Sequence, residues 1–313
     1  MNESEARIMP DVKTALVTGG SGLIGSHVCR ALAEAGWRIC GTFGRNPQYV
    51  PADDPSIKSL PLDLADTDRI AGTLEQVEPD LIVHTAAVSV LRDCEDQPAL
   101  ARRINTDSTA ALAQWCLHHR AHLIFLSTDQ VFDGVKGRYV EDDPPSPIHV
   151  YGRTKAAAEK CVLESGAAAT VLRLSLVYGY SPGGARTHNE QVIESVRNNR
   201  LLRFFSDEYR TPILAQDVAS AIGELADTNG VGVLHLAGPD RVNRVQFGQA
   251  ILKAFGCEDA AYEAVTLAEA NMTPPRPPDL SLDTTLARRL LDHPPRSIQE
   301  GLSFLAAQQP RLT

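Results

Sequence analysis

At 313 residues, with 43% hydrophobic and 22% charged positions, the chain is long enough for one large α/β domain or two lobes. A formal net charge of −9 argues against a nucleic-acid partner, which usually needs a basic face. No apolar run reaches membrane-spanning length, Met1 to Asp11 is polar and acidic rather than a signal peptide, and the six cysteines (Cys29, Cys40, Cys94, Cys116, Cys161, Cys257) lack any C-x-x-C pair, so a cytoplasmic protein with reduced thiols and no metal site is expected.

Val12 to Thr18 reads as a buried strand, followed at once by Gly19-Gly20-Ser21-Gly22-Leu23-Ile24-Gly25 and a helix-forming run from Ser26 to Ala35. Strand, glycine turn and helix in this order are the context that a dinucleotide fingerprint requires. The glycines give a tight turn, close approach of backbone to a pyrophosphate and close helix–strand packing. The helix start adds unpaired N–H groups and the positive end of its dipole. Trp37 to Phe43 is the second strand, and its end meets the adenosine ribose in such folds. Thr42-Phe43-Gly44-Arg45-Asn46 has no carboxylate there and one guanidinium, which favours NADP over NAD, NADPH over NADH. A solvated loop charge is the alternative for Arg45.

Ser56 to Leu60 reads as a third strand, and Asp66 is placed to cap a helix running to Val77. Asp80 to His84 is a short apolar strand ending in Thr85-Ala86-Ala87, small residues against which a flat cofactor can lie. A long helix is expected over Gln97 to His119, carrying Asn105, then a strand from His122 to Leu126 that delivers Ser127-Thr128-Asp129. Strands and helices alternating at this spacing predict a doubly wound parallel sheet of the Rossmann type. A proline-bearing loop crosses Gly134 to His149; Val150 to Glu164 is helical, and Ala169 to Val177 forms another strand. Beyond the Pro182-Gly183-Gly184 connection, helices are expected over Glu190–Arg200, Pro212–Ala226, Val245–Phe255, Thr284–Leu291 and Ile298–Ala307, with strands over Leu201–Phe205 and Val231–Leu236. The division that follows is a dinucleotide-binding domain of residues 1–178 with 213–238, and a smaller α/β substrate lobe of residues 179–212 with 239–313.

Tyr151 and Lys155 stand four apart on a helix and share one face. A lysine ammonium near a phenol favours the phenolate and should lower the tyrosine pKa towards neutrality. Tyr151 then becomes a candidate general acid for a carbonyl oxygen receiving hydride. Thr128 could hydrogen-bond the same oxygen, or serve only as a strand-end cap.

Together, Gly19-x-x-Gly22-x-x-Gly25, Tyr151-x-x-x-Lys155 and the sheet order resemble an extended short-chain dehydrogenase/reductase. Leu126-Ser127-Thr128-Asp129-Gln130-Val131-Phe132-Asp133-Gly134, Val150-Tyr151-Gly152-Arg153-Thr154-Lys155 and Arg276-Pro277-Pro278-Asp279-Leu280-Ser281-Leu282-Asp283 are similar to motifs of the dTDP-4-dehydrorhamnose reductase family. The resemblance implies a catalytic trio of Thr128, Tyr151 and Lys155, and a pyrophosphate cradle from Gly19 to Gly25. It implies Asp63-Leu64 beside the adenine and Ala86-Ala87 beside the nicotinamide half, with Lys155 also holding the nicotinamide ribose. The substrate would be a small-molecule nucleotide sugar, with Ser89, Asp129, Gln130 and Arg276 on its side of the site. Arg276 is the candidate for the diphosphate and Arg210 a secondary one, though either could instead be a surface or interlobe charge. A second copy in a homodimer is the only protein partner suggested for such a reductase.

The sequence departs from that family at three places. Rhamnose-forming members usually carry Tyr where Gln130 stands and Trp where Leu176 stands, and Arg92 replaces an Asp often found after the Ala-Ala pair. Losing two rings removes stacking surface, so the substrate is left open. A related branch, the regulatory β subunit of methionine adenosyltransferase, implies a second reading: an NADP-binding regulatory protein with little turnover. A nucleotide-sugar epimerase or dehydratase is a third, weakened by Arg45 and by Thr128-Asp129.

Overall fold

The computed structural model describes residues 12–184 and 187–308; the polar leader expected before residue 12 lies outside them. Seven strands form one sheet. In chain order they are β1 (Thr14–Thr18), β2 (Arg38–Phe43), β3 (Ile57–Pro61), β4 (Leu81–His84), β5 (His122–Thr128), β6 (Ala169–Leu174) and a last strand, Gly232–Leu236. Their order across the sheet is Gly232–Leu236, β6, β5, β4, β1, β2, β3, and every pairing is parallel. The chain therefore winds outward from β1 in one direction, then returns to β4 and winds outward in the other. The switch between β1 and β4 opens a crevice at the carboxyl ends of the strands, where open α/β sheets bind ligands.

Both faces of the sheet are buried, which explains strands that read as near-continuous apolar runs. One face packs Val28 and Leu32 of α1 (Leu23–Glu34) with Val218, Ile222 and Leu225 of the helix Ala215–Leu225. The other packs Ile70 and Leu74 of α2 (Thr67–Val77) with Leu112, Cys116, Ala158 and Val162. A separate core gathers Tyr178, Val192, Phe204, Phe247, Ile251, Leu302 and Leu305 into the smaller α/β lobe. Short ladders edge that lobe: Tyr262–Val265 runs parallel to Leu202–Phe205, and Val242–Asn243 runs antiparallel to Tyr209–Arg210. All six cysteines are free thiols. Among the described residues no helix is long and apolar enough to cross a membrane, and no group of side chains could hold a metal.

The element boundaries depart from expectation where side chains do special work. Asp66 caps α2 as expected, its carboxylate accepting from Arg69 N at 3.2 Å. The long helix expected over Gln97–His119 is instead interrupted. Pro98 starts a fresh turn, since proline suits a first helical position, and Arg103–Asp107 is a π-turn before Ser108–His119 resumes. The widened turn carries Asn105 inward, fully buried. The strand expected to reach Val177 stops at Leu174, because the Ser175 hydroxyl turns aside to donate to Asp129 Oδ2 at 2.9 Å. Val177–Tyr178 then pairs with Ile213–Leu214, so the helix expected from Pro212 begins only at Ala215.

Candidate active site

The glycine turn is built by backbone alone. Gly22 N donates to Gly19 O at 2.8 Å, closing the turn, and Gly22 is the N-cap of α1. A Cβ on Gly25 would lie 2.1 Å from Gly19 O, so only glycine lets the helix sit this close to the strand end. No side chain caps α1 and no acidic residue stands in its first turn, whereas α2 and the helix Val150–Glu164 are both capped by side chains. The free N–H groups and dipole of that N-terminus suit an anion, and the cradle fits the pyrophosphate that its pattern implies.

The other expected cofactor positions follow the carboxyl ends of β2, β3 and β4. Ala86 packs on Gly19, whose added Cβ would meet the Ala86 Cα at 3.1 Å. Asn105 fixes the segment after it: its Oδ1 accepts from Val88 N at 2.8 Å, and its Nδ2 donates to Val88 O and to Thr154 Oγ1, each at 3.0 Å. Sequence reasoning placed Asn105 on a helix but gave it no such task; an Asn in an otherwise helix-forming run was the only signal. Beneath the cradle, His84 bridges Thr18 Oγ1 at 2.6 Å and Thr109 Oγ1 at 3.1 Å. Burial holds its pKa down at about 3, so it is neutral. Leu64 is buried, while Asp63 is exposed and accepts from Ala65 N. Arg45 is exposed at the end of β2, with no hydrogen-bond or ion-pair partner among the described residues.

Thr128 ends β5, and Tyr151 and Lys155 come from the helix Val150–Glu164. That helix is pressed against the turn after Thr128: a Cβ on Gly152 would lie 2.1 Å from Gln130 O. His149 caps it, its Nδ1 accepting from Gly152 N at 3.1 Å, and His149 Nε2 lies 2.7 Å from Gln130 Oε1. The electrostatics reverse the expected lowering of the phenol by the lysine. Burial pushes Tyr151 above the ordinary phenol range, opposed by a hydrogen bond with Thr128 and reinforced by the Asp129 charge. Lys155, 2% exposed, is lowered to about 7 by burial, with Glu159 opposing, and its Nζ sits 3.9 Å from the Phe125 ring centroid. Desolvation outweighs pairing for both groups. Tyr151 is thus a neutral phenol, a proton donor.

A cavity of about 500 Å³ opens over Tyr151, lined also by Ser89, Gln130, Arg276 and Arg210. Its other charged walls are Arg92, Arg244 and Glu208, giving four arginines against one carboxylate. Glu208, 1% exposed, bridges three of them: Arg210 Nη2 at 3.0 Å, Arg244 Nη2 at 3.3 Å and Arg276 Nη1 at 3.4 Å. Desolvation would raise its pKa, but the three guanidiniums win and hold it at about 2. A buried Arg244 Nη1 has no hydrogen-bond partner among the described residues. The surplus positive charge suits a multiply charged anion. Asp129, expected at the substrate, is instead buried below the cavity wall, where it accepts from Ser175 and Thr128 and lies 3.6 Å from Arg210 Nε. Arg244 and Glu208 went unnoticed in the sequence, since neither belongs to a motif. A larger groove of about 760 Å³ beside the helices Arg244–Ala254 and Ile298–Gln308 is lined by none of Thr128, Tyr151 and Lys155.

The chain is similar to known proteins over most of its length. A family model described as the RmlD substrate binding domain matches residues 13–309. A probable low-salt glycan biosynthesis reductase, Agl14, of Haloferax volcanii is 31% identical over 94% of this chain and 97% of its own length. Methionine adenosyltransferase 2 subunit beta of Rattus norvegicus is 29% identical over 81% of this chain and 75% of its own. Among solved structures, dTDP-4-dehydrorhamnose reductase of Bacillus anthracis in complex with NADP superposes with a TM-score of 0.84 at 21% identity, covering 95% of this chain and all of that one. At that identity the likeness speaks for the fold.

Proposed function

The chain belongs to the RmlD substrate binding domain family, and we propose that it is an NADPH-dependent reductase of a 4-keto sugar carried on a nucleoside diphosphate. The observation that carries the reading is Tyr151 on the wall of a cavity that four arginines also line, with an uncapped glycine cradle at the same end of the sheet. Gly19 to Gly25, with Ser21, Leu23 and Ile24 at the helix start, would hold the cofactor pyrophosphate, and Arg45 its 2′-phosphate. Asp63-Leu64 and Ala86-Ala87 would flank its two ends, with Tyr151 and Lys155 at the ribose of the nicotinamide. A bound nicotinamide supplies hydride to the keto carbon.

The chain's own residues do the rest. Tyr151 gives its proton to the keto oxygen, Thr128 hydrogen-bonds and polarises the same oxygen, and solvent restores the Tyr151 proton afterwards. Lys155, one helical turn from Tyr151, would in its charged form stabilise the phenolate so formed. Arg276 and Arg244 bind the diphosphate, while Ser89 and Gln130 face the sugar. Purified protein given NADPH and a panel of 4-keto nucleotide sugars should consume NADPH. A second reading, a binding subunit with little turnover, draws support from the likeness to methionine adenosyltransferase 2 subunit beta and from Gln130 and Leu176. It predicts no consumption across the panel and co-purification with a larger enzyme.

A further inference from the structure

The hydrogen bonds at the start of the helix Val150–Glu164 fix the orientation of one cavity side chain. Gly152 N–H can only donate, so His149 Nδ1 accepts and carries no proton. In the neutral ring the proton then sits on Nε2, which must donate to its partner 2.7 Å away, Gln130 Oε1. His149 is 1% exposed, and burial lowers its pKa, which keeps this tautomer at neutral pH. With its carbonyl turned to His149, the Gln130 amide must present its two N–H donors elsewhere. No acceptor among the described residues meets them, and Gln130 lines the cavity beside Tyr151.

We propose that Gln130 is a specificity-determining residue whose amide NH2, aimed by His149, donates to an oxygen on the sugar of the bound nucleotide sugar. This rests on the cavity being the nucleotide-sugar site. His149 is the positioning residue: it caps the helix that carries Tyr151 and, through its other nitrogen, sets which end of Gln130 the substrate meets. A sugar lacking an oxygen acceptor at that position leaves the amide unpaired and binds more weakly.

The test uses the full chain loaded with NADP and titrated calorimetrically with dTDP-rhamnose and UDP-glucose, with dTDP and UDP as sugar-free controls. Gln130→Glu keeps an acceptor for His149 Nε2 and replaces the NH2 with a second oxygen. It should weaken whichever nucleotide sugar the wild type binds by about tenfold or more, leaving the matching sugar-free nucleotide within about twofold. His149→Asn preserves a good N-cap but cannot aim Gln130, and should give a smaller loss, again confined to the nucleotide sugar. Equal losses with and without the sugar, or none, would overturn the proposal. Wild-type protein binding neither nucleotide sugar overturns it together with the cavity assignment. Selective loss in protein that never oxidises NADPH supports the proposal and sinks only the reductase reading.

Discussion

The glycine cradle and the arginine-lined cavity meet at the same end of the sheet but are made of different materials. The cradle uses one continuous stretch, Gly19 to Gly25, and works through backbone N–H groups and the absence of side chains. The cavity draws on segments far apart in the chain, around Ser89, Gln130, Tyr151, Glu208, Arg244 and Arg276, and works through charged side chains. A backbone device tolerates little change and recognises what all dinucleotides share. A side-chain device can be retuned one residue at a time, which is how substrate preference can drift on a constant frame.

Substitutions and pH should separate the two devices. The largest effect is expected from Gly25→Ala, because the new methyl meets the Gly19 carbonyl at 2.1 Å, backbone that cannot step aside. Overpacking of this kind costs about 1–3 kcal/mol or more. Thermal unfolding should report the loss, and NADPH affinity should collapse with it. Acid should then loosen both devices at once. His84 under the cradle and His188 in the smaller lobe are both held to about 3 by burial. Each stays neutral when folded but takes a proton below about pH 6.5 when unfolded, so stability falls as pH drops from 6.5 towards 3. The slope approaches about 1.4 kcal/mol per pH unit for each histidine as the unfolded ring becomes protonated, so these two alone should make urea unfolding at pH 6.5 and 5.5 differ by about 2 kcal/mol. Arg45→Ala should give the smallest change. NADPH should bind about 10–100-fold more weakly while NADH is untouched, as for the loss of one charge-assisted contact. An equal effect on both cofactors would mean that Arg45 is only a solvated charge.

The same contrast explains what could be read in the sequence. The doubly wound sheet and the cradle were legible because both rest on local pattern: apolar runs of strand length, and glycines at fixed offsets between a strand and a helix. Tyr151 and Lys155 were legible as a pair by helical spacing, yet their proton affinities were not. Those depend on how deeply Val150–Glu164 is pressed against the turn at Gln130, which no spacing records. The π-turn that buries Asn105 replaced a smooth helix because its reward, two bonds to Val88 and one to Thr154, lies across the fold. Glu208 and Arg244 were invisible for the same reason. Their meaning exists only once three guanidiniums converge on one carboxylate.

The central claim is that Tyr151 delivers a proton to a keto oxygen in the arginine-lined cavity, and the direct measurement is NADPH oxidation by wild type and Tyr151→Phe with a 4-keto nucleotide sugar. The wild type should turn over, and the variant should lose at least about 100-fold in kcat while binding NADPH as before. Equal rates in the two proteins, or a wild type silent across the panel, would contradict the account.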